Sequence, residues 1–336
     1  MRMDGRRTSG NVDDRRGQRS AGGLGGNIFG GNGGGSNNGL SILSLIISLI
    51  SLFKSSKNNG GGNSKGGCGG CGCLGLLAIL VIGYFLMNSG GLDLGSILNS
   101  GLVTTESDYS SNTEYEASDE EEALALFAKQ VFAGTEDVWT KIFAQNGLTY
   151  ECPRLVLFTD RVSSGCGNAS SSTGPFYCSA DQCVYIDLSF FLNMKRTIGA
   201  DGDFAYAYVI AHEVGHHVQY LLGDLTKIHN QQARSSEKIS NQLSVRLELQ
   251  ADFYAGIWAY YDNKMFNSLE DGDIDEALNA AMKIGDDYLQ KQARGYTVPE
   301  SFNHGTSAQR SKWLKKGIQT GNISLGDTFT PAYENL

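Results

Sequence analysis

Histidine is scarce in this chain, five in 336 residues, and several larger signatures are missing altogether. No stretch repeats at a fixed period, which excludes a solenoid or propeller. No glycine-rich loop with phosphate-binding spacing occurs, so nothing points to a nucleotide-driven enzyme. The residues after 105 carry 18 Lys+Arg against 32 Asp+Glu, a net charge of −14, and offer no basic patch for nucleic acid. Strand-forming runs are few. A cleavable signal peptide is also excluded, because the apolar residues begin too deep in the chain and no small-residue cleavage site follows them.

The few histidines are concentrated where they matter. His212-Glu213-Val214-Gly215-His216 is an HExxH motif, and composition alone yields about 0.003 such matches in a chain of this make-up. The surrounding segment, 204–222, lacks proline, carries apolar residues at helical spacing and is followed by Gly223. On a helix, residues four apart share a face, so His212 and His216 reach one ion while Glu213, one step round, meets a water beside it. Zinc acidifies such a water towards ~7, and a carboxylate takes its proton during attack on a carbonyl. Gly215 lets another backbone approach the metal. His217 is turned about 100° from His216 and is expected to support the site rather than bind. His229 is expected on the surface.

A catalytic zinc needs a third protein ligand. The segment 236–261 reads as one long helix, with Glu248 and Asp252 on one face among Leu247, Leu249, Ala251, Phe253 and Ala255. Two carboxylates in apolar company need partners. Glu248 is the candidate ligand, and Asp252, one turn on, the acceptor that fixes a ligand histidine's tautomer.

These two helices resemble the neutral zinc metallopeptidases that bacteria anchor in their membranes. The matching residues run from His212 to Gln219 and from Ser244 to Gly256. Further matches are Arg6 to Arg16, Gly174 to Cys178, Val184 to Asp187 and His304 to Arg310. The second helix is also similar to that of the Ste24 and HtpX membrane proteases, and this resemblance implies that Glu248 is the third ligand. A looser parallel in the spacing of His304 and Arg310 implies that they are catalytic, one or the other stabilising the oxyanion of the tetrahedral intermediate. The plainer reading of the same residues is a helix start capped by Thr306 or Ser307, followed by a surface arginine. The chain departs from the family pattern in its long N-terminal insertion and at Ser179 to Cys183, both away from the metal residues.

Residues 1–105 carry 9 Lys+Arg and 4 Asp+Glu, a net +5 opposite in sign to the rest. Six arginines fall in the first 19 residues, and Gly22–Gly39 cannot bury enough apolar surface to fold. Residues 1–39 are therefore expected to be disordered and cytoplasmic. Residues 40–53 form an interfacial apolar helix with Ser41, Ser44, Ser48 and Ser51 on one face, a surface for self-association. Residues 54–73 are a Gly/Lys/Cys linker, 74–92 a single transmembrane helix, and 93–119 an acidic tether. Lys54, Lys57 and Lys65 precede the span and the next basic residue is Lys129, which puts the catalytic domain outside the cytoplasm. If both apolar runs cross, the domain is cytoplasmic instead.

Cys152, Cys166, Cys178 and Cys183 suit an oxidising compartment, with Cys166–Cys178 and Cys152–Cys183 the favoured pairing among three. Cys68, Cys71 and Cys73 are assigned no role. Residues 120–336 are expected to be an α+β, zincin-like domain, mostly helical with a small sheet. Its strands are 154–158 and 184–188, and its later helices 274–292 and 307–317. The expected function is a membrane-anchored endopeptidase with Zn2+ on His212, His216 and Glu248, Glu213 as general base, and a peptide or protein substrate. A non-catalytic, zinc-binding envelope protein is the alternative.

Overall fold

The computed structural model describes residues 1–18 and 115–336. Helix α1 (Asp119–Gln145) starts at Ser118, whose hydroxyl accepts the Glu121 N–H, with four acidic residues in the first turn facing the positive end of the helix. Strand β2 (Arg154–Phe158) follows, then a hairpin of β3 (Arg161–Ser164) and β4 (Gly167–Ser170), then β5 (Phe176–Cys178) and β6 (Cys183–Asp187). The rest is helical: α2 (Leu188–Ile198), α3 (Asp203–Leu221), α4 (Asp224–Gln232), α5 (Glu237–Phe266), α6 (Asp273–Lys283), α7 (Asp286–Arg294) and α8 (Ser307–Thr320). This is the expected mostly helical α+β domain with a small sheet.

Strand β2 is buried at four consecutive positions, Leu155 to Phe158. Successive side chains point to opposite faces, so Leu155 and Leu157 join the helical core while Val156 and Phe158 join a second cluster with Val162 of the hairpin. A continuous apolar run of this kind belongs in a sheet covered on both sides.

The fourth strand of that sheet comes from a region expected to be disordered. Val12–Asp14 forms β1 and pairs in parallel with β2, Val12 opposite Leu155. The sheet order is β1, β2, β6, β5, with only β5 antiparallel to its neighbour. The early arginines are structural cations. Arg6 forks onto both oxygens of buried Asp262 at 2.6 and 3.1 Å, and Arg7 reaches Glu136 and Asp137. Arg16 pairs with Asp14 and Glu122. Their partners lie about a hundred residues or more along the chain in most cases, so local composition could not reveal them. Residues 1–18 therefore belong to the domain, which corrects their assignment to a disordered segment.

The segment expected as one helix over 274–292 is two, α6 and α7, divided at Gly285. A Cβ there would stand 2.3 Å from the backbone nitrogen of Ser307, at the start of α8. The packing of α8 against this joint breaks the helix. The proposed residues 40–53, 54–73 and 74–92, the serine face, Cys68, Cys71 and Cys73, and most of 93–119 lie outside the described residues. Among the described residues no helix is long and apolar enough to cross a membrane.

Candidate metal centre

Helix α3 is buried along most of its length and carries His212 and His216 on one side. Helix α5 crosses it at Gly215, where an added Cβ would sit 2.9 Å from the carbonyl oxygen of Ala251. Only glycine permits that approach without something shifting, and the approach sets Glu248, one turn before Ala251, against both histidines. Glu248 Oε2 lies 3.2 Å from His212 Nε2, and Oε1 lies 3.5 Å from His216 Nε2. One donor atom from each of the three residues lies within 4.8 Å of the others.

Each imidazole is held by its other nitrogen. His212 Nδ1–H donates to Asp252 Oδ1 at 2.8 Å, and His216 Nδ1–H donates to Gln219 Oε1 at 2.9 Å. These bonds turn both Nε2 atoms to the centre. Gln219 is fixed in turn, its Nε2 donating to the Leu247 carbonyl at 2.7 Å. His216 Nε2 and Glu213 Oε2 are buried with no hydrogen-bond partner. A buried lone pair without a donor is costly, and a cation among His212, His216 and Glu248 removes that cost. The two-imidazole, one-carboxylate donor set suits zinc.

The electrostatics point the same way. Burial alone disfavours the imidazolium of His212, yet Asp252 and Glu248 at its two nitrogens hold its pKa up at about 9. Burial would raise the Glu248 carboxyl, but His212 and His216, with His304 nearby, hold it well below the usual carboxylate range. The centre is a place for positive charge. Burial pushes Glu213 the other way, above its ordinary value, against the pull of His212 and His216. The backbone N–H of Tyr177, on edge strand β5, donates to the Glu213 carboxylate and aims it.

Asp252 is the hub behind the ligands. Its Oδ1 accepts from His212, from the Tyr208 hydroxyl at 2.6 Å and from Arg310 Nη2 at 2.9 Å, while Oδ2 accepts Arg310 Nε at 2.8 Å. Helix α8 delivers Arg310 because Gly256 and Gly317 let it press onto α5, with a Cβ at Gly256 only 2.3 Å from the Leu314 carbonyl oxygen. Arg310, expected at the oxyanion, is thus committed to Asp252 and 1 % exposed. Its nearest nitrogen is 3.7 Å from Glu248. Thr306 caps α8 through a reciprocal bond with Gln309, as the plainer reading of this segment has it.

His304 does face the centre. It lines the same cavity as His212, Glu213 and Glu248, and its Nδ1–H donates to Asp286 Oδ1 at 3.2 Å. Asp286 Oδ2 accepts the backbone N–H groups of Asn303, His304 and Gly305 and so shapes the loop. His217 is buried away from the metal residues. Its Nε2–H donates to the Glu151 carbonyl and its Nδ1 accepts from the Tyr177 hydroxyl, with burial depressing its pKa to about 4. His229 is exposed.

Four residues of the site were missed by sequence reasoning. Tyr208 and Gln219 stand one turn before His212 and three residues after His216, a spacing that could have flagged them. Nothing local marks Asp286 or the Tyr177 amide. A disulfide joins Cys166 and Cys178 as expected, but Cys152 and Cys183 are free, one exposed and one buried. Cys183 lies opposite Cys178 in the β5–β6 pair, and its thiol contacts the Asp181 carbonyl. A second acidic group, Asp203, Asp273 and Glu276, takes the Met1 ammonium, 2.8 Å from Asp203 and 3.2 Å from Asp273.

Comparison with known proteins agrees with this geometry. The chain is 47 % identical over 249 residues to the uncharacterized protein YpfJ of Escherichia coli, covering 74 % of this chain and 83 % of that one. It is 45 % identical over 193 residues to an uncharacterized protein of Mycobacterium tuberculosis, covering 54 % and 64 %. No solved structure matches it significantly. The profile of a family described as "Putative neutral zinc metallopeptidase" matches residues 52–329, and the chain belongs to that family.

Proposed function

We propose that this protein is a zinc-dependent endopeptidase, with the ion held by His212, His216 and Glu248. The observation that carries the reading is the buried, partnerless pair His216 Nε2 and Glu213 Oε2 beside that ligand set. Bound there, zinc supplies Lewis acidity, acidifying water and polarising a peptide carbonyl. Glu213 takes the proton of the attacking water and returns it to the leaving amine, a shuttle suited to a carboxyl whose pKa burial has raised. The Tyr177 N–H keeps the carboxylate turned to that work. His304, fixed by Asp286, lines the cavity beside His212, Glu213 and Glu248 and donates to the developing oxyanion. Arg310 is a positioning residue that acts through Asp252.

Attachment to a membrane through residues 40–53 and 74–92 is part of the same proposal, amended by the fold. The pairing of β1 with β2 supports a reading in which residues 1–18 and 115–336 lie in one compartment. The Cys166–Cys178 bridge favours the oxidising side.

Replacing Glu213 by Gln tests the reading. Zinc stays bound and peptide cleavage is lost; a variant that cleaves like wild type contradicts it.

A further inference from the structure

A cavity of about 500 Å³ opens from the metal centre and runs along α2, far more space than catalysis at one carbonyl requires. It reaches from His212, Glu213 and Glu248 past Tyr208 and Val209, one turn earlier on α3, to the joint between α6 and α7. Its size is that of a pocket for an organic ligand.

The lining away from the metal is apolar, made by Phe190, Met194 and Ile198 of α2, Val209 of α3, Ile284, and Leu289 of α7. Several polar side chains on its walls are already bonded to the protein. Asn193 Nδ2 donates to the Ser189 carbonyl at 2.7 Å, and Thr197 Oγ1 donates to the Asn193 carbonyl at 2.9 Å. On the opposite wall, Ser170 and Ser172 bond one another at 2.7 Å, and Thr173 Oγ1 accepts the Ser170 N–H at 3.2 Å. A charged side chain entering here would lose its water, and short of the metal residues the cation on the lining is the exposed Arg196, which already donates to Asn193 Oδ1. A bulky apolar one loses water at a gain.

We infer that this cavity is the specificity recess of the enzyme, and that it takes a large aliphatic or aromatic side chain next to the scissile bond. The preferred substrates are peptide segments with Leu, Phe or Met at that position, of the kind that lie buried in a folded protein and are exposed in a loosened one. The inference rests on the peptidase reading, because it uses the metal centre to say where the scissile bond lies. Ile284 is the residue on which the choice of side chain turns. It sits at the end of α6, partly buried, where a larger side chain projects into the recess without disturbing the ligands of α3 and α5.

The test uses the full-length zinc-loaded protein and quenched peptides of one sequence, varied at the residues flanking the cut, with the cleaved bond located by mass spectrometry. Leu or Phe at one flanking position is expected to exceed Ala in kcat/KM by roughly 10- to 100-fold, and Asp by more. Ile284→Trp shifts that preference towards Ala. It also lowers the fluorescence of anilinonaphthalene sulfonate bound to the protein, while zinc content and circular dichroism match wild type. Cleavage that is indifferent to the flanking residue, or a preference unmoved in Ile284→Trp, overturns the recess and leaves the peptidase reading standing. No cleavage by wild type with its zinc in place overturns both.

Discussion

Arg310 grips both carboxylate oxygens of Asp252, at 2.8 and 2.9 Å, and shares Oδ1 with His212 Nδ1–H. A guanidinium from the last long helix thereby helps to orient His212, the first candidate metal ligand. All three side chains are buried, and the chain Arg310, Asp252, His212 links α8, α5 and α3 behind the candidate metal centre.

Removing one partner of that pair leaves a bare buried charge. Arg310→Met is expected to cost about 3–5 kcal/mol of folding stability, read as a lower thermal midpoint. Asp252→Asn keeps the shape but loses charge and acceptor capacity, and zinc affinity is expected to fall about 10- to 100-fold by competitive chelation. Unchanged zinc affinity in Asp252→Asn would show that the clamp does not govern the ligand.

Gly215 makes the site possible by letting α5 approach. Gly215→Ala places a methyl 2.9 Å from the Ala251 carbonyl oxygen, so the helices must separate. The expected loss is roughly 1–3 kcal/mol in stability, with weaker zinc binding because Glu248 moves with α5. Isothermal titration of the apo-protein with zinc reads the second effect, and wild-type affinity would contradict the crossing as its cause.

The bridge Cys166–Cys178 closes the stretch that holds Ser171 to Pro175, one wall of the cavity, and ends beside Tyr177. Replacing both cysteines by Ser is expected to cost about 2–4 kcal/mol. It should raise KM while leaving zinc content intact, since the wall lies apart from the ligands. Loss of zinc from the double variant would show instead that the bridge supports the metal helices.

The N-terminal strand makes a prediction about acid and another about compartment. Burial would raise the Asp14 carboxyl, but Arg16 and Lys129 hold it down at about 2, below its ordinary 3.8. A depressed pKa stabilises the folded form above the unfolded value and loses that contribution as pH falls through the folded one. Docking of β1 should therefore weaken as pH drops from about 4 towards 2, seen as faster amide exchange at residues 12–14, and Asp14→Asn should flatten the dependence. In intact cells, epitopes placed after residues 20 and 336 should be digested together or protected together by external protease. Opposite outcomes at the two ends would contradict the pairing of β1 with β2.

The legible part of the molecule was the part written in local periodicity. HExxH, the Glu248–Asp252 spacing and the long apolar helices announce themselves within a few turns, and so does strand β2. The Cys166–Cys178 bridge followed from its loop. Arg6 to Arg16 misled because Asp262, Glu136 and Glu122 are distant in sequence, and a basic run looks the same whether it meets solvent or a buried carboxylate. The break at Gly285 comes from α8 arriving against it, a tertiary cause that the 274–292 pattern does not contain. Arg310 was tied to the site only through a resemblance, and whether it faces substrate or Asp252 depends on how closely Gly256 and Gly317 let two helices approach.

The central claim is that His212, His216 and Glu248 hold a zinc ion against which Glu213 works as a base. Metal analysis and peptide turnover, measured together on wild type and Glu213→Gln, test it most directly. About one zinc per chain in both proteins, with turnover in wild type alone, is the predicted result. Wild type that binds no zinc, or Glu213→Gln that cleaves as fast as wild type, contradicts it.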